Sequence, residues 1–419
     1  MRKTKTITAI VIGALICFSS CFLTGCVKPE PDPKEEFDAT KLPYYVEDID
    51  TLSYSYTEEE RIRPFWQGNI IYNEQLMITE KDGVVQGKLL YEPRRILSVR
   101  DWKLETEYVE GVDYLIDGSV ITLPEGSGIP VFRDEWTRGE NIPSQYPAGD
   151  PASGYEMIFG GEVLYSESSL IWSRYLHVTY VYDPADVDRS HVSQYSPDML
   201  YGLTQMIAQP GSEKPLKFTV FGDSISEGCS SSELWGHAPY CPSYAGLVRY
   251  GLESLGGFQV TFNNISVGGK DSAWAADEEQ LAKVMSLGSD FLILAFGTND
   301  SFSSIEGNAY RSNIEKIIAA AKTANPECQV LLIAPFPSNE ISKSAYLHEK
   351  LCVTLKAIAE ETEYLDVGYL SMYEGCLDML KTKNYYEIAG NNVNHPNDFV
   401  HRFYAMNVLN AIFDFAAIK

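Results

Sequence analysis

The chain is short of positive charge. Its 419 residues include 33 lysines and arginines against 58 aspartates and glutamates, which gives a formal net charge of −25. A protein this acidic repels nucleic acid and anionic lipid headgroups. The composition therefore argues against nucleic-acid binding and favours neutral partners, although solubility alone would also account for such a charge.

Paired cysteine motifs are also missing. The eight cysteines stand at positions 17, 21, 26, 229, 241, 328, 352 and 376, and no two have CxxC spacing. This excludes the common zinc signatures and a disulfide framework, and no motif calls for a metal or an organic cofactor. Cys229 and Cys241 flank a loop where export would permit a bridge. Two buried free thiols are the alternative.

The first 26 residues are typical of a secretory signal. A basic start is followed by an apolar run from Ile7 to Leu23 and by Leu23-Thr24-Gly25-Cys26. That ending resembles the bacterial lipobox, so Cys26 is expected to carry acyl chains that anchor the protein at the extracytoplasmic face of a bacterial cell membrane. A plain signal peptide or a transmembrane anchor is the alternative. Residues 27–39 are Pro-rich and charged, which predicts an extended tether.

Residues 40–183 contain short β-type runs separated by turn residues, with hardly any helical periodicity. The runs are Asn69–Ile78, Gly87–Tyr91, Leu104–Tyr108, Tyr114–Leu123, Glu156–Leu164 and Leu176–Tyr182. Many strands at short spacing predict an all-β domain, either a β-sandwich or a jelly roll. Residues 184–213 form a junction with one helical segment, Asp198–Ile207, which Pro210-Gly211 ends.

From residue 214 to residue 419 the pattern alternates between strand and helix. Strands are predicted at 217–221, 259–263, 291–296, 329–334 and 364–367. Helices are predicted at 243–255, 277–285, 309–323, 344–361 and 398–417. The strands are almost continuously apolar, as in sheets covered on both faces. Such alternation predicts a parallel, doubly wound α/β domain of three layers, α/β/α.

One octapeptide, Phe221 to Gly228, stands out within this region. An apolar strand that ends in Gly222-Asp223-Ser224 directs one serine hydroxyl out of the carboxyl edge of a sheet, where open α/β sheets bind their ligands. Ser224 is therefore a candidate nucleophile. The alternative is an ordinary turn in which Asp223 or Ser224 only caps a helix.

Three later segments are predicted to lie at the same carboxyl edge of the sheet. They are Asn264 to Gly269, Gly297-Thr298-Asn299-Asp300 and Asn394-His395-Pro396-Asn397-Asp398. Acyl transfer by a serine needs a base, oxyanion donors and a group that orients the base. Each segment alone also fits a glycine-rich turn, an Asx turn or a helix N-terminus.

Together the four segments resemble the signature blocks of the SGNH, or GDSL, hydrolase superfamily, over about Leu216 to the C-terminus. The resemblance implies a flavodoxin-like α/β fold and attack on an ester carbonyl by Ser224, with His395 as base and then acid. It also implies an oxyanion site of two backbone N–H groups, those of Ser224 and Ser266, and the Asn299 side chain. The supporting residues in the same blocks are Asp223, Gly268 and Asp300.

Two positions depart from the family pattern. The family usually has glycine where Ser266 stands, but a backbone donor does not depend on the side chain. It also usually has aspartate three residues before the catalytic histidine, where this chain has Asn392. Either a Ser-His dyad suffices, or the Asn392 carbonyl oxygen, a backbone carbonyl or Asp398 orients the ring. His401 also has suitable spacing after Asp398, but His395 is preferred because it stands in His-Pro-Asn.

The β-rich region followed by an SGNH domain is similar to the two-domain carbohydrate esterases, especially the family-two deacetylases. This resemblance implies a tethered esterase that removes acetyl groups from polysaccharides or oligosaccharides without a cofactor. Trp235 and Trp274, in loops after two of the blocks, could stack on a sugar ring, and loop packing is the alternative. Two other functions stay open: a lipolytic esterase or lysophospholipase, and a glycan-binding lipoprotein whose catalytic site has decayed at Asn392.

Overall fold

A computed structural model describes residues 37–208, 215–342, 345–361 and 366–418. The predicted signal segment with Cys26, and all of the tether before residue 37, lie outside the described residues. Within the described ranges, no helix combines the length and the apolar character needed to cross a membrane.

The N-terminal region is rich in strands, as predicted. Its strands are β1 (Ile70–Lys81), β2 (Val84–Lys88), β3 (Arg95–Arg100), β4 (Leu115–Asp117), β5 (Val120–Thr122), β6 (Val131–Arg133), β7 (Glu156–Ile158), β8 (Val163–Tyr165) and β9 (Tyr175–Val181). The order β3-β9-β1-β2-β5-β4, with β6 parallel to β1, makes one seven-stranded sheet, and β7 pairs with β8 as a separate hairpin. Its helices are α1 (Glu58–Ile62), α2 (Ser169–Trp172) and α3 (Tyr201–Ala208). The sandwich or jelly-roll assignment stays a prediction.

The C-terminal region is an α/β domain with a parallel sheet. Its strands are β10 (Leu216–Gly222), β11 (Val260–Asn264), β12 (Phe291–Ala295), β13 (Gln329–Ile333) and β14 (Val367–Leu370), in the order β11-β10-β12-β13-β14. Its helices are α4 (Ser224–Glu227), α5 (Tyr244–Ser254), α6 (Ser272–Ala275), α7 (Glu278–Leu287), α8 (Thr298–Ser303), α9 (Gly307–Ala324), α10 (His348–Glu361), α11 (Met372–Leu380), α12 (Tyr385–Ile388) and α13 (Asp398–Ile412).

The parallel sheet buries both of its faces. Ile293 of β12 packs in one hydrophobic cluster with residues of α5 and α13, whereas its neighbours Leu292 and Leu294 pack in a second cluster with residues of α9 and α10. Because successive side chains of a strand point to opposite faces, this division places helices on each side of the sheet. The predicted α/β domain with a parallel sheet is confirmed.

Helix α13 joins the two regions. All of its residues are buried, and the cluster it shares with the parallel sheet also contains core residues of β1 and β9. Its Arg402 donates hydrogen bonds to the backbone carbonyls of Glu60, Arg61 and Tyr72. Residues Asp38–Lys419 accordingly form one compact unit, and the domain boundaries drawn from the sequence stay a prediction.

A buried ion pair adds a second link between the regions. The Lys383 ammonium, just after α11, pairs with the Glu74 carboxylate of β1, and both side chains are almost fully buried. Replacing Lys383 with methionine is expected to lower the free energy of unfolding by about 3–5 kcal/mol, because Glu74 would remain as an unpaired buried charge. Reversible urea unfolding measures the change.

The neighbouring Lys381 supplies a matched control. Its ammonium pairs with Asp378 at the surface, and exposed pairs contribute at most about 1 kcal/mol. Lys381→Met should therefore change the unfolding free energy far less than Lys383→Met. Equal effects of the two substitutions would contradict a structural role for the buried pair.

Candidate active site

Ser224 lies at the first position of α4, directly after β10. Asp223 caps this helix, since its carboxylate accepts a hydrogen bond from the Ile225 N–H. Gly222 is required because a Cβ at this position would lie 2.5 Å from the Ala295 carbonyl oxygen and closer still to Ser226. The tight turn holds the Ser224 hydroxyl at the carboxyl edge of the sheet, with only 6% of the residue exposed.

The His395 imidazole contacts the Ser224 hydroxyl. Its Nε2 lies 2.8 Å from Ser224 Oγ, although the residues are 171 positions apart. The loop that carries His395 is organised by Asn391, whose side-chain oxygen accepts the N–H groups of Val393, Asn394 and His395. These bonds fix the backbone of the loop, so the imidazole is held in place before substrate arrives.

The group that orients the imidazole is Glu167, which the sequence did not reveal. Glu167 Oε1 lies 2.7 Å from His395 Nδ1, and both side chains are buried. The Glu167 carboxylate also accepts hydrogen bonds from Ser230 Oγ at 2.8 Å and Asn391 Nδ2 at 3.2 Å. A carboxylate only accepts, so Nδ1 carries the proton and the Nε2 lone pair faces Ser224.

The sequence predicted Asn392 or Asp398 as the side chain that orients His395, but neither side chain is hydrogen-bonded to the imidazole. The Asn392 side chain donates to the Leu164 carbonyl at 3.1 Å, and its backbone carbonyl accepts from Asn339. Asn392 therefore turns away from the imidazole and fixes β8, which ends two residues before Glu167. Asp398 accepts a hydrogen bond from the Ser232 N–H at 2.8 Å. It stabilises the loop after α4, and burial raises its pKa to about 6.

The His401 ring makes hydrogen bonds to two backbone groups. Its Nδ1 accepts the Tyr244 N–H at 3.3 Å, and its Nε2–H donates to the Cys229 carbonyl at 3.1 Å. Burial lowers its pKa to about 4. Both ring nitrogens are already used, so this ring has no free position for proton transfer.

The oxyanion donors differ in part from the prediction. The Ser266 N–H donates to Asn264 Oδ1 at 3.1 Å, so it does not offer a free donor. The Gly268 N–H is likewise used by the Glu227 carboxylate. Gly269 follows with φ +74°, and no hydrogen bond from its N–H occurs among the described residues. Gly269 is the better backbone candidate beside Ser224.

Asn299 lies at the start of α8. Its Nδ2 donates one hydrogen to the Lys270 carbonyl at 3.0 Å, which leaves the second N–H for a ligand. The buried Asp300 accepts hydrogen bonds from the backbone N–H and the hydroxyl of Ser272. Burial raises the pKa of Asp300 to about 7 and that of Asp223 to about 6. These two carboxyl groups hold α8 and α4 around the reacting atoms.

The two predicted aromatic contacts differ in exposure. Trp274 packs partly buried against the second hydrophobic cluster, 6.0 Å from the Phe221 ring, so loop packing explains it. Trp235 is 44% exposed and stays a candidate for substrate contact. Cys229 and Cys241 are free thiols in the structure.

One group of potential metal ligands occurs in the described ranges: Asp188, His191 and Asp378. His191 Nδ1 lies 2.5 Å from Asp378 Oδ2, and Asp378 also pairs with Lys381. The Asp378 carboxylate therefore already contacts the Lys381 ammonium and the His191 ring. We interpret this group as a surface ion-pair cluster, and it shares no residue with the Ser224 site.

Comparison with known proteins supports the four-block interpretation. Residues 220–403 match the family of GDSL-like lipases and acylhydrolases. These residues form a GDSL-type domain. All four blocks lie inside the matched range of the GDSL-type domain, whereas Glu167 lies outside it.

Two solved structures are similar to part of this chain. Axe2, an acetylxylan esterase from Geobacillus stearothermophilus, shares 16% identity over 48% of this chain and 95% of its own, with a TM-score of 0.39. A member of the lipolytic G-D-S-L family from Veillonella parvula shares 18% identity over 46% of this chain and 96% of its own, with a TM-score of 0.37. No curated protein matches the chain significantly.

Proposed function

We propose that the protein is a serine esterase that removes O-acetyl groups from polysaccharides or oligosaccharides. The observation that carries the proposal is the continuous hydrogen-bond chain from Ser224 Oγ through His395 to Glu167, with contacts of 2.8 and 2.7 Å. A hydroxyl, an imidazole and a carboxylate in this order make a nucleophile, a base and an orienting anion.

The reaction follows from this geometry. His395 Nε2 takes the Ser224 proton while Oγ attacks the ester carbonyl carbon, and the oxyanion is held by the Ser224 N–H, the Gly269 N–H and the Asn299 amide. The imidazolium then gives its proton to the leaving sugar oxygen, which leaves an acyl-enzyme. Water attacks the acyl group, His395 takes the water proton and returns it to Oγ, and the carboxylic acid departs. Glu167 stays ionised and stabilises the imidazolium in both steps.

A small acyl group on a neutral glycan fits the site best. Ser224 and His395 are 6% and 8% exposed, so the protein covers most of the surface of both reacting residues. The net charge of −25 disfavours an anionic lipid surface. On the proposed lipoprotein reading of Cys26, the enzyme would act outside the cytoplasm, where polysaccharides are accessible.

The experiment that tests the proposal compares acyl chains. With 4-nitrophenyl esters, kcat/KM for acetate is expected to exceed that for octanoate by about tenfold or more, because the longer chain must displace well-packed side chains. Acetate release from acetylated xylan, mannan and pectin, measured in parallel, identifies the glycan.

The alternatives give different results. A lipolytic esterase would hydrolyse the octanoate faster, and that outcome would overturn the deacetylase assignment. A glycan-binding protein without activity would release no acetate and would bind sugar. The hypothesis of an inactive glycan-binding protein assumed that the catalytic site had lost its orienting carboxylate at Asn392. Glu167 supplies a carboxylate at His395 instead.

A further inference from the structure

Two phenylalanines, one from the β-rich region and one from the α/β domain, stack on each other. The rings of Phe159 and Phe302 lie 5.7 Å apart with an interplanar angle of 9°. Phe159 lies in the turn between β7 and β8, and Phe302 lies on α8. Phe302 is 38% exposed and Phe159 is partly exposed, so the stacked pair presents apolar ring surface to solvent.

The position of α8 places this pair at the edge of the site. Phe302 follows the oxyanion candidate Asn299 by three residues, so both side chains lie on neighbouring positions of one helical face. The helix is fixed against the glycine loop, because Ser303 Oγ bonds to Asp271 at 3.0 Å and Asn299 bonds to the Lys270 carbonyl. The hairpin that carries Phe159 leads directly through β8 to Glu167.

The backbone at Phe159 is unusual. Its φ is +52°, in the left-handed region that bulky residues rarely adopt, although two glycines follow in the same turn. Strain of this kind persists where neighbouring structure holds it, and it clusters at ligand clamps. The strained turn at Phe159 and the exposed ring of Phe302 together indicate a surface that contacts a ligand.

We propose that Phe159 and Phe302 form a stacking surface for a sugar ring of the acylated substrate, an inference that rests on the proposed function. The C–H faces of a pyranose ring are apolar and flat, so they pack on aromatic faces without needing charge. A sugar held beside Asn299 would keep its ester carbonyl near the oxyanion donors. The pair would therefore select acylated oligosaccharides over small esters.

The test compares Phe302→Ala and Phe159→Ala with the wild type on two substrates. For each variant, the decrease in kcat/KM with acetylated xylo-oligosaccharides should be about five times the decrease with 4-nitrophenyl acetate. The additional decrease should come mainly from a higher KM. On a Ser224→Ala background, Phe302→Ala should weaken the binding of the same oligosaccharides about fivefold, as measured by calorimetry.

Tyr201→Ala is the matched control. Tyr201 is 55% exposed and precedes Gly202, which bonds to Gln329 at the amino end of β13, opposite the catalytic edge. Its substitution should leave both readouts as in the wild type. The proposal would be overturned if Phe302→Ala lowered kcat/KM equally for both substrates and left oligosaccharide binding unchanged. That result would mean that the pair only holds the hairpin in place. If the wild type hydrolysed neither substrate, the esterase proposal would be wrong. The binding measurement would still test whether the two phenylalanines bind the sugar.

Discussion

Replacing Ser224 with alanine is expected to reduce kcat for acetate release by about 10⁴-fold or more. The substitution removes the atom that forms the acyl-enzyme, and no other hydroxyl is placed on His395 Nε2 in the described structure. A serine-reactive fluorophosphonate should label the wild type and fail to label the variant, which mass spectrometry of the intact protein detects.

The fold should survive this substitution. The Ser224 hydroxyl bonds to His395 alone among the described hydrogen bonds, so circular dichroism and the melting temperature should stay close to those of the wild type. Ser226→Ala is the matched control, because Ser226 lies in the same helix and its hydroxyl bonds to Tyr244 at 2.6 Å, away from the histidine. It should keep most of the activity. A Ser224→Ala protein with more than about 1% of wild-type activity would exclude Ser224 as the nucleophile.

The features that could be predicted from the sequence are local ones. The strand before Ser224, the Gly222 turn and the His-Pro-Asn segment each depend on neighbouring residues, and apolar parallel strands differ clearly in pattern from helices. Their convergence follows from topology, since parallel strands end at the same edge. The contact of Ser224 with His395 could therefore be expected although 171 positions separate them.

Glu167 could not be found in this way. It is 228 positions from His395 and stands just before Ser168, an ordinary helix cap for α2. Nothing local distinguishes such a glutamate from any other residue near a helix start. The only signal was indirect: Asn392 occupies the usual aspartate position, so any orienting carboxylate had to come from elsewhere.

Two smaller errors have local causes. The run Leu104–Tyr108 is not a strand, because Asp101 Oδ1 accepts the N–H groups of Glu105 and Thr106 in a turn, and Leu104 has a positive φ of 63°. The Ser266 N–H is taken by Asn264 two residues earlier, which is the spacing of an Asx turn. In both segments a side chain competes for backbone donors, and apolar patterning does not detect that competition.

Replacing Glu167 with glutamine is expected to lower kcat by about 10²- to 10⁴-fold while KM changes little. Glutamine has nearly the same shape and can still accept from Ser230, but it carries no charge to stabilise the imidazolium that forms in each step. Its amide can also turn an N–H toward Nδ1, which would favour the wrong tautomer. Stopped-flow hydrolysis of 4-nitrophenyl acetate measures kcat, and the rate of fluorophosphonate labelling of Ser224 should fall in parallel.

Glu156→Gln controls for the loss of one negative charge on the hairpin that leads to Glu167. Glu156 is exposed on β7, so its substitution should leave kcat within about twofold of the wild type, because exposed charges are screened by solvent and salt. Thermal unfolding should show both variants folded. If Glu167→Gln kept kcat within about fivefold of the wild type, the enzyme would work as a Ser-His dyad and Glu167 would serve only to hold the hairpin. A large loss in kcat at constant KM has the opposite meaning: the residue acts on the imidazole in the transition state, and the β-rich region supplies part of the catalytic machinery.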